Sequence, residues 1–148
     1  MRTIIFLLVT VFTFGMASAQ TINADLVPSV VKNKMQEKYP EARGLYWRES
    51  GPGFVEANFT INKQKCNALF VTTGAWVSTD FTITREEFPQ AASDYLNKEV
   101  SADKVTRYYR SESKAKGTQY SADAKKGGTA YTFLFDKEGK LVMKGLRD

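Results

Sequence analysis

Residues 54–83 read FVEANFTINKQKCNALFVTTGAWVSTDFTI, and they contain three strand-like segments separated by two turn signals. In the first segment, apolar side chains occupy every second position, at Val55, Ala57, Phe59 and Ile61. The second segment, 66–71, is mostly apolar, and the third alternates again. Residues 62–65 and 72–74 have the composition of turns. Alternation with a period of two is typical of strands that bury one face, so the stretch predicts an antiparallel meander.

A helix is predicted on each side of this meander. Residues 25–39 carry apolar side chains at helical spacing, and Pro40 ends the helix. Residues 84–87 (TREE) form a capping box, and the apolar positions that follow predict a second helix. Further strands are predicted at 104–111, about 118–124, 129–135 and 141–144. The polar segment 112–128 leaves the strand boundaries there open.

The second half of the chain repeats short motifs of the first half. The matching pairs are Val27-Pro28 with Phe88-Pro89, Tyr46-Trp47-Arg48 with Tyr108-Tyr109-Arg110, and Gly74-Ala75-Trp76 with Gly139-Lys140-Leu141. This pattern predicts two repeats, at about 25–84 and 85–148, within a single domain that covers residues 20–148. The predicted fold class is α+β. Each repeat would contribute one helix and three to four antiparallel strands to a sheet with both helices on one face and the other face open.

The first nineteen residues have the three parts of a secretory signal peptide. Arg2 supplies a positive charge, 4–14 is an uncharged apolar run, and Ala17-Ser18-Ala19 has the small-residue pattern that a signal peptidase cleaves. The apolar run is about half of the roughly 20 residues that a membrane-spanning helix needs. The sequence therefore predicts export, cleavage before Gln20, no stable membrane insertion afterwards, and a periplasmic or secreted protein.

Composition narrows the classes of function. The chain has no histidine, which removes the commonest general base and the usual zinc-ligand clusters, and neither a cofactor nor a metal is expected. Cys66 is the single cysteine, so no intramolecular disulfide can form, and a buried strand position is predicted for it. The net charge of +5 is interspersed along the chain, not gathered in a basic stripe, which argues against nucleic-acid binding.

The mature part resembles the PepSY-like (β-lactamase-inhibitor-protein-like) exported domains of Bacteroidetes. The resemblance rests on Val27-Pro28, the Trp47 strand, residues 54–59 (FVEANF), Phe88-Pro89 and residues 133–141 (FLFDKEGKL). It implies a tandem α–β repeat with a partly open sheet, a binding or inhibitory role, and no catalytic residues. It does not transfer a β-lactamase target, because fold and function separate easily.

Four side chains are candidates for a binding surface. If Leu45, Trp47, Val105 and Tyr109 face the helices, alternation turns the neighbouring tyrosines and arginines to the open face: Tyr46, Arg48, Tyr108 and Arg110. Tyrosine and arginine are enriched in binding hot spots. The competing interpretation is that these side chains only support one another across strands on a solvated sheet.

Three functional classes are compatible with the sequence. The favoured one is a non-enzymatic module that binds or inhibits a periplasmic protein, such as a hydrolase or a peptidase, through the open face. The second is a small-ligand or envelope-stress sensing module, which would need a concave apolar pocket. The third is an enzyme, which the missing histidines disfavour.

Overall fold

The computed structural model describes residues 20–147, so the predicted signal peptide lies outside the described residues. This part of the chain forms nine strands: β1 (Thr21–Ile22), β2 (Arg43–Glu49), β3 (Phe54–Ile61), β4 (Gln64–Val71), β5 (Trp76–Ile83), β6 (Val105–Ser113), β7 (Gly117–Lys126), β8 (Thr129–Phe135) and β9 (Leu141–Leu146). Helix α1 (Ser29–Lys38) lies between β1 and β2, and helix α2 (Gln90–Glu99) lies between β5 and β6. Single turns of 3-10 helix at Ala24–Leu26 and Ala102–Lys104 precede α1 and β6.

All nine strands belong to one antiparallel sheet, and their order in the sheet is their order in the chain. Strands β5 and β6 pair from Ser78 opposite Ser113 to Ile83 opposite Tyr108. The sheet is therefore continuous from β5 to β6, although the sequence predicted a boundary between two repeats at residues 84 and 85.

The predicted fold class was wrong. The described chain is a single nine-stranded antiparallel sheet, mostly β, with only two short helices of ten residues each, and it is not a tandem repeat of helix-plus-strand units. The repeated motifs are local turn and helix-start signals, and such signals carry no information on how strands group into units. Backbone pairing between neighbouring strands decides the grouping, and here it is unbroken from β1 to β9.

Both helices begin directly after a proline. Pro28 precedes α1 and Pro89 precedes α2, each with an extended backbone. The predicted helix 25–39 therefore starts four residues later and ends at Lys38. In the predicted capping box, the Thr84 amide donates a hydrogen bond to Oε2 of Glu87 at 2.8 Å. Both residues lie in the turn before α2, not at the start of the helix.

One face of the sheet, the core face, carries the hydrophobic core. Its buried side chains include Trp47, Ala57, Phe70, Phe133 and Phe135, and the helices add buried residues to the same cluster: Val31, Met35, Ala92 and Leu96. The predicted burial of Trp47 and of Cys66 is confirmed, since they are 3 % and 1 % exposed. Because side chains alternate along a strand, the residues between these point to the opposite side, the polar face.

Two glycines let strand turns approach the helices closely. Gly74 and Gly139 have φ of +99° and +82°, in the left-handed region that favours glycine. A Cβ at Gly74 would lie 2.6 Å from Cγ2 of Val30, and one at Gly139 would lie 2.9 Å from the amide nitrogen of Ala92. The two turns therefore need glycine for backbone conformation and for packing.

Candidate functional site

Two of the four predicted binding residues lie on the polar face. In the pairing of β2 with β3, Tyr46 is opposite Asn58 and Arg48 is opposite Glu56, in register with the buried Trp47–Ala57 pair that points the other way. Tyr46 is 48 % exposed and Arg48 is half-buried. These two residues therefore lie on the face that the sequence predicted for them.

The other two predicted residues lie on the core face, so their face assignment was wrong. The Tyr108 ring packs against Phe88, with ring centroids 4.9 Å apart, and burial raises the pKa of its hydroxyl. The guanidinium of Arg110 lies 4.5 Å from the centroid of the Phe81 ring and pairs with Glu112 at 3.4 Å. The structure thus separates Tyr108 and Arg110 from Tyr46 and Arg48 by the thickness of the sheet.

The physical reason is a shift of one residue. The repeat comparison placed Tyr109 with Trp47 and so turned Tyr109 inward, whereas the pairing of β5 with β6 places Tyr109 opposite Thr82 and Tyr108 opposite the buried Ile83. A one-residue slip along a strand exchanges its two faces. The pairing is irregular near the starts of β2 and β6, between Arg43 and Tyr46 and between Val105 and Arg107. The face of a residue therefore cannot be found by counting positions from the end of its strand.

Arg107 and Tyr109 occupy the polar face of β6. Arg107 is exposed, Tyr109 is half-buried, and Nη1 of Arg107 donates a hydrogen bond to the Tyr109 hydroxyl at 3.4 Å. This contact, together with the charge of Asp123 nearby, raises the pKa of Arg107. The polar face therefore presents a tyrosine and an arginine on β2 and another such pair on β6.

Between β2 and β6 the polar face has two adjoining depressions. One has a volume of about 420 Å³ and is bordered by Tyr46, Arg48, Asn58, Lys65 and Asn67, among others. The second has a volume of about 580 Å³ and is lined by Lys65, Asn67, Asp80, Thr82, Arg107 and Tyr109. Since Lys65 and Asn67 belong to both, the two form one continuous surface across five strands, which we call the β2–β6 surface.

Hydrogen bonds between side chains hold the floor of the β2–β6 surface in place. Nδ2 of Asn67 donates to Oδ1 of Asn58 at 2.9 Å, and Nδ2 of Asn58 donates to Oε1 of Glu56 at 2.8 Å. Asn58 is only 5 % exposed, so these bonds satisfy a buried amide. The hydroxyl of Ser111 donates to Oδ1 of Asp80. The surface is consequently polar and pre-ordered, with Lys65 and Arg107 exposed at its centre and edge.

A further polar cluster lies on the same face, towards the C-terminus. Asp123 of β7 is 6 % exposed, and it accepts hydrogen bonds from the Thr132 hydroxyl and from Nη1 of Arg147. A buried carboxylate requires such partners. The cluster joins Arg147, which follows β9, to strand β7.

Sequence reasoning missed five residues of the β2–β6 surface: Lys65, Asn67, Asp80, Arg107 and Tyr109. A signal for the first two was present, because they alternate with the buried Cys66, Ala68 and Phe70. Reading 66–71 as a mostly apolar strand concealed that alternation. For the residues of β6, the apolar pattern is too weak to decide the face.

A comparison with protein families identifies the fold's relatives. The sequence model of the family described as beta-lactamase-inhibitor-like, PepSY-like matches residues 53–143. The chain belongs to this PepSY-like family. No curated protein matches the chain. The resemblance seen in the sequence is therefore confirmed at the level of the family.

Solved structures from Bacteroides share the fold of this PepSY-like protein. A protein from B. eggerthii described as a candidate periplasmic protein has a TM-score of 0.73 and 19 % identity, over 81 % of this chain and 88 % of its own. A DUF2874 family protein from B. uniformis has a TM-score of 0.72 and 18 % identity, over 80 % and 88 %. A BLIP-like protein from B. fragilis has a TM-score of 0.70 and 15 % identity, over 80 % and 86 %.

Within residues 20–147, none of the helices has the length and apolar character needed to cross a membrane.

Proposed function

We propose that this PepSY-like chain is an exported, non-enzymatic module that binds a periplasmic protein through the β2–β6 surface. Export is supported by the signal-like N-terminus and by the periplasmic description of a structural neighbour. A binding role is supported by the beta-lactamase-inhibitor-like description of the family, together with a sequence that lacks histidine.

One observation carries the proposal: two tyrosine–arginine pairs border a single polar surface. Tyr46 and Arg48 lie at its β2 end, and Arg107 and Tyr109 lie at its β6 end. These residue types combine contact area with fixed hydrogen-bonding groups, which is why they dominate binding hot spots. The floor between them is already hydrogen-bonded, so little side-chain ordering is left to oppose association.

The shape of this surface favours a protein over a small ligand. A small-ligand sensing module needs a concave, mostly apolar pocket that surrounds its ligand. The two depressions are bordered instead by amide and charged side chains, including Asn67, Asp80 and Arg107. Such a composition suits the polar contacts that occur across protein interfaces.

Site-specific photocrosslinking in the native periplasm tests this function. A photoreactive phenylalanine analogue at Tyr46 or Tyr109 should give the same crosslinked protein, whereas the analogue at Leu26, which is 76 % exposed outside the surface, should not. Crosslinks of equal yield at Leu26 would contradict the proposal.

The captured partner then allows an affinity measurement. Replacing Tyr46, Arg48, Arg107 and Tyr109 together by alanine should weaken its binding by at least about 100-fold, because single hot-spot truncations cost about 2 kcal/mol or more. A double alanine variant at Leu26 and Lys137 is the matched control and should bind normally. The quadruple variant should remain folded, since none of the four side chains belongs to the hydrophobic core, and circular dichroism checks this. Unchanged affinity in the folded quadruple variant would refute the proposed surface.

A further inference from the structure

Strand β9 ends the sheet and has a free edge among the described residues. The amide of Arg147 donates to the carbonyl of Ala130 at 3.0 Å, and in the same register Thr132 is opposite Gly145 and Tyr131 is opposite Leu146. In an antiparallel ladder, alternate residues direct their backbone groups to the partner strand and away from it. The N–H and C=O groups of Lys144 and Leu146 therefore point away from β8.

This edge is apolar at its side chains as well. Val142, Met143 and Leu146 are 56 %, 54 % and 71 % exposed, which is unusual for large apolar residues on one short strand. An exposed edge with such side chains is a template for another strand. An unpaired edge of this composition therefore favours pairing with a further strand.

Lys144 lies in the middle of the edge, but its side chain does not block the approach of another strand. Lysine on an edge strand normally prevents pairing because its charge projects into the space of an incoming strand. Here Nζ of Lys144 lies 4.7 Å from the centroid of the Tyr131 ring and 3.6 Å from Oε2 of Glu99. Its charge is thus drawn back over the protein and partly compensated, so the backbone at the edge is left accessible.

Nothing within one copy of the chain, from residue 20 to residue 147, requires a glycine at position 145. The other glycines within residues 20–147 have φ in the left-handed region, whereas Gly145 has an ordinary strand conformation. A Cβ placed on Gly145 would meet nothing within 4 Å. Glycine inside a strand often marks a place where another backbone approaches closely. A second strand beside Gly145 would supply that reason.

We propose that β9 pairs antiparallel with β9 of a second copy of this chain, about a two-fold axis at Gly145. In this register Gly145 faces its own equivalent as the closely spaced, non-hydrogen-bonded pair. Lys144 lies opposite Leu146 of the second copy, and the two residues exchange backbone N–H···O=C hydrogen bonds through their outward groups. The symmetry-related pair does the same. The aliphatic stem of Lys144 packs on Leu146 of the second copy, and no two lysines are opposed.

Self-pairing fits this edge because the contact is complementary to itself. Two-fold contacts of this kind close after two copies, which leaves no further edge of the same type. The resulting sheet is continuous, and the two β2–β6 surfaces lie on the same side of it, far from the contact. The contact is small, at the low end of interface sizes, so the dimer dissociates readily on dilution.

Sedimentation velocity on residues 20–148 between about 1 µM and about 1 mM tests the dimer. The expected result is a concentration-dependent rise from the mass of one chain to that of two. A single chain at every concentration would overturn the proposal, and so would growth beyond two chains, which would indicate head-to-tail pairing.

Two pairs of variants test the position of the contact. Leu146→Pro removes an outward N–H that β8 does not use, and it should weaken self-association by at least about tenfold, whereas Leu146→Val keeps the N–H and should associate normally. Gly145→Lys has room in the protomer but opposes two like charges across the axis, so it should also be monomeric, with Gly145→Ser as its control. Normal association of folded Leu146→Pro and Gly145→Lys would refute the assigned edge.

Hydrogen exchange provides a readout at single residues. The amides of Lys144 and Leu146 should exchange rapidly in dilute protein and become protected at high concentration, while that of Met143, which faces β8, should be protected in both. Exchange of the Lys144 and Leu146 amides that does not depend on concentration would contradict pairing through β9. Neither result affects the crosslinking at Tyr46 and Tyr109, so the dimer and the binding surface can fail separately.

Discussion

Replacing Trp47 by alanine tests the face assignment on which the proposed binding surface rests. Trp47 is 3 % exposed in β2, lies opposite the fully buried Ala57, and its ring centroid is 6.5 Å from that of Phe70. A buried tryptophan removes about 200 Å² from water, which corresponds to about 5 kcal/mol at about 25 cal/mol per Å². Measured truncations of this type cost about 3–5 kcal/mol. We therefore expect the free energy of unfolding to fall by about 4 kcal/mol.

Urea unfolding followed by circular dichroism measures this loss. With a slope of about 2 kcal/mol per molar urea, the midpoint should fall by about 2 M. Tyr46 is the matched control, since it is the preceding residue of the same strand and is 48 % exposed on the opposite face. Tyr46→Ala should lower the free energy of unfolding by less than about 1 kcal/mol. Equal losses in the two variants, or a larger loss in Tyr46→Ala, would show that the faces of β2 are reversed.

Two further predictions concern buried polar groups. Cys66 is 1 % exposed and burial raises the pKa of its thiol, so a thiol reagent at neutral pH should label the native protein at least about 100-fold more slowly than the urea-unfolded protein; equal rates would contradict burial. The hydroxyl of Tyr39 shares a hydrogen bond with the buried Thr79, and burial raises the pKa of Tyr39 above its ordinary value of 10.0. The stability that the neutral hydroxyl contributes is therefore present below pH 10 and is lost as the pH rises through the folded-state pKa. Tyr39→Phe should be less stable by about 1 kcal/mol at pH 7 in urea titrations, and this difference should shrink above about pH 10; a constant difference would refute the assignment.

Local structure was largely accessible from the sequence. The strand predicted at 54–61 is β3 with the same bounds, and 129–135 is β8. The bounds of these strands could be predicted because the strands alternate clearly or are followed or preceded by clear turn signals, such as the glycines at positions 51, 53 and 139. The weakly patterned segment 112–128 contains the end of β6 and the whole of β7, which are paired by backbone hydrogen bonds that side-chain patterns do not encode.

Only half of the candidate site could be predicted from the sequence, because the register of β6 was not known. Tyr46 and Arg48 lie on the predicted face because Trp47 between them is a strong indicator of the core side. Their supposed equivalents in β6 have a tyrosine at both Tyr108 and Tyr109, so residue type cannot decide which one faces inward. Phe88 decides it, because its ring packs on Tyr108. That contact joins residues twenty positions apart and is visible only in three dimensions.

The sequential strand order has a consequence for how the protein folds. Because each strand pairs with the next one in the chain, every ladder can close through a short connection or through one helical segment. Chain-entropy costs of loop closure are then small at each step, and topologies rich in local contacts fold faster than those built from distant pairings. The sheet can grow from its N-terminal strands as the chain becomes available, each strand being the template for its successor. In such a zipper, β9 is the last strand to join and the one whose outer edge no later segment of residues 20–147 covers.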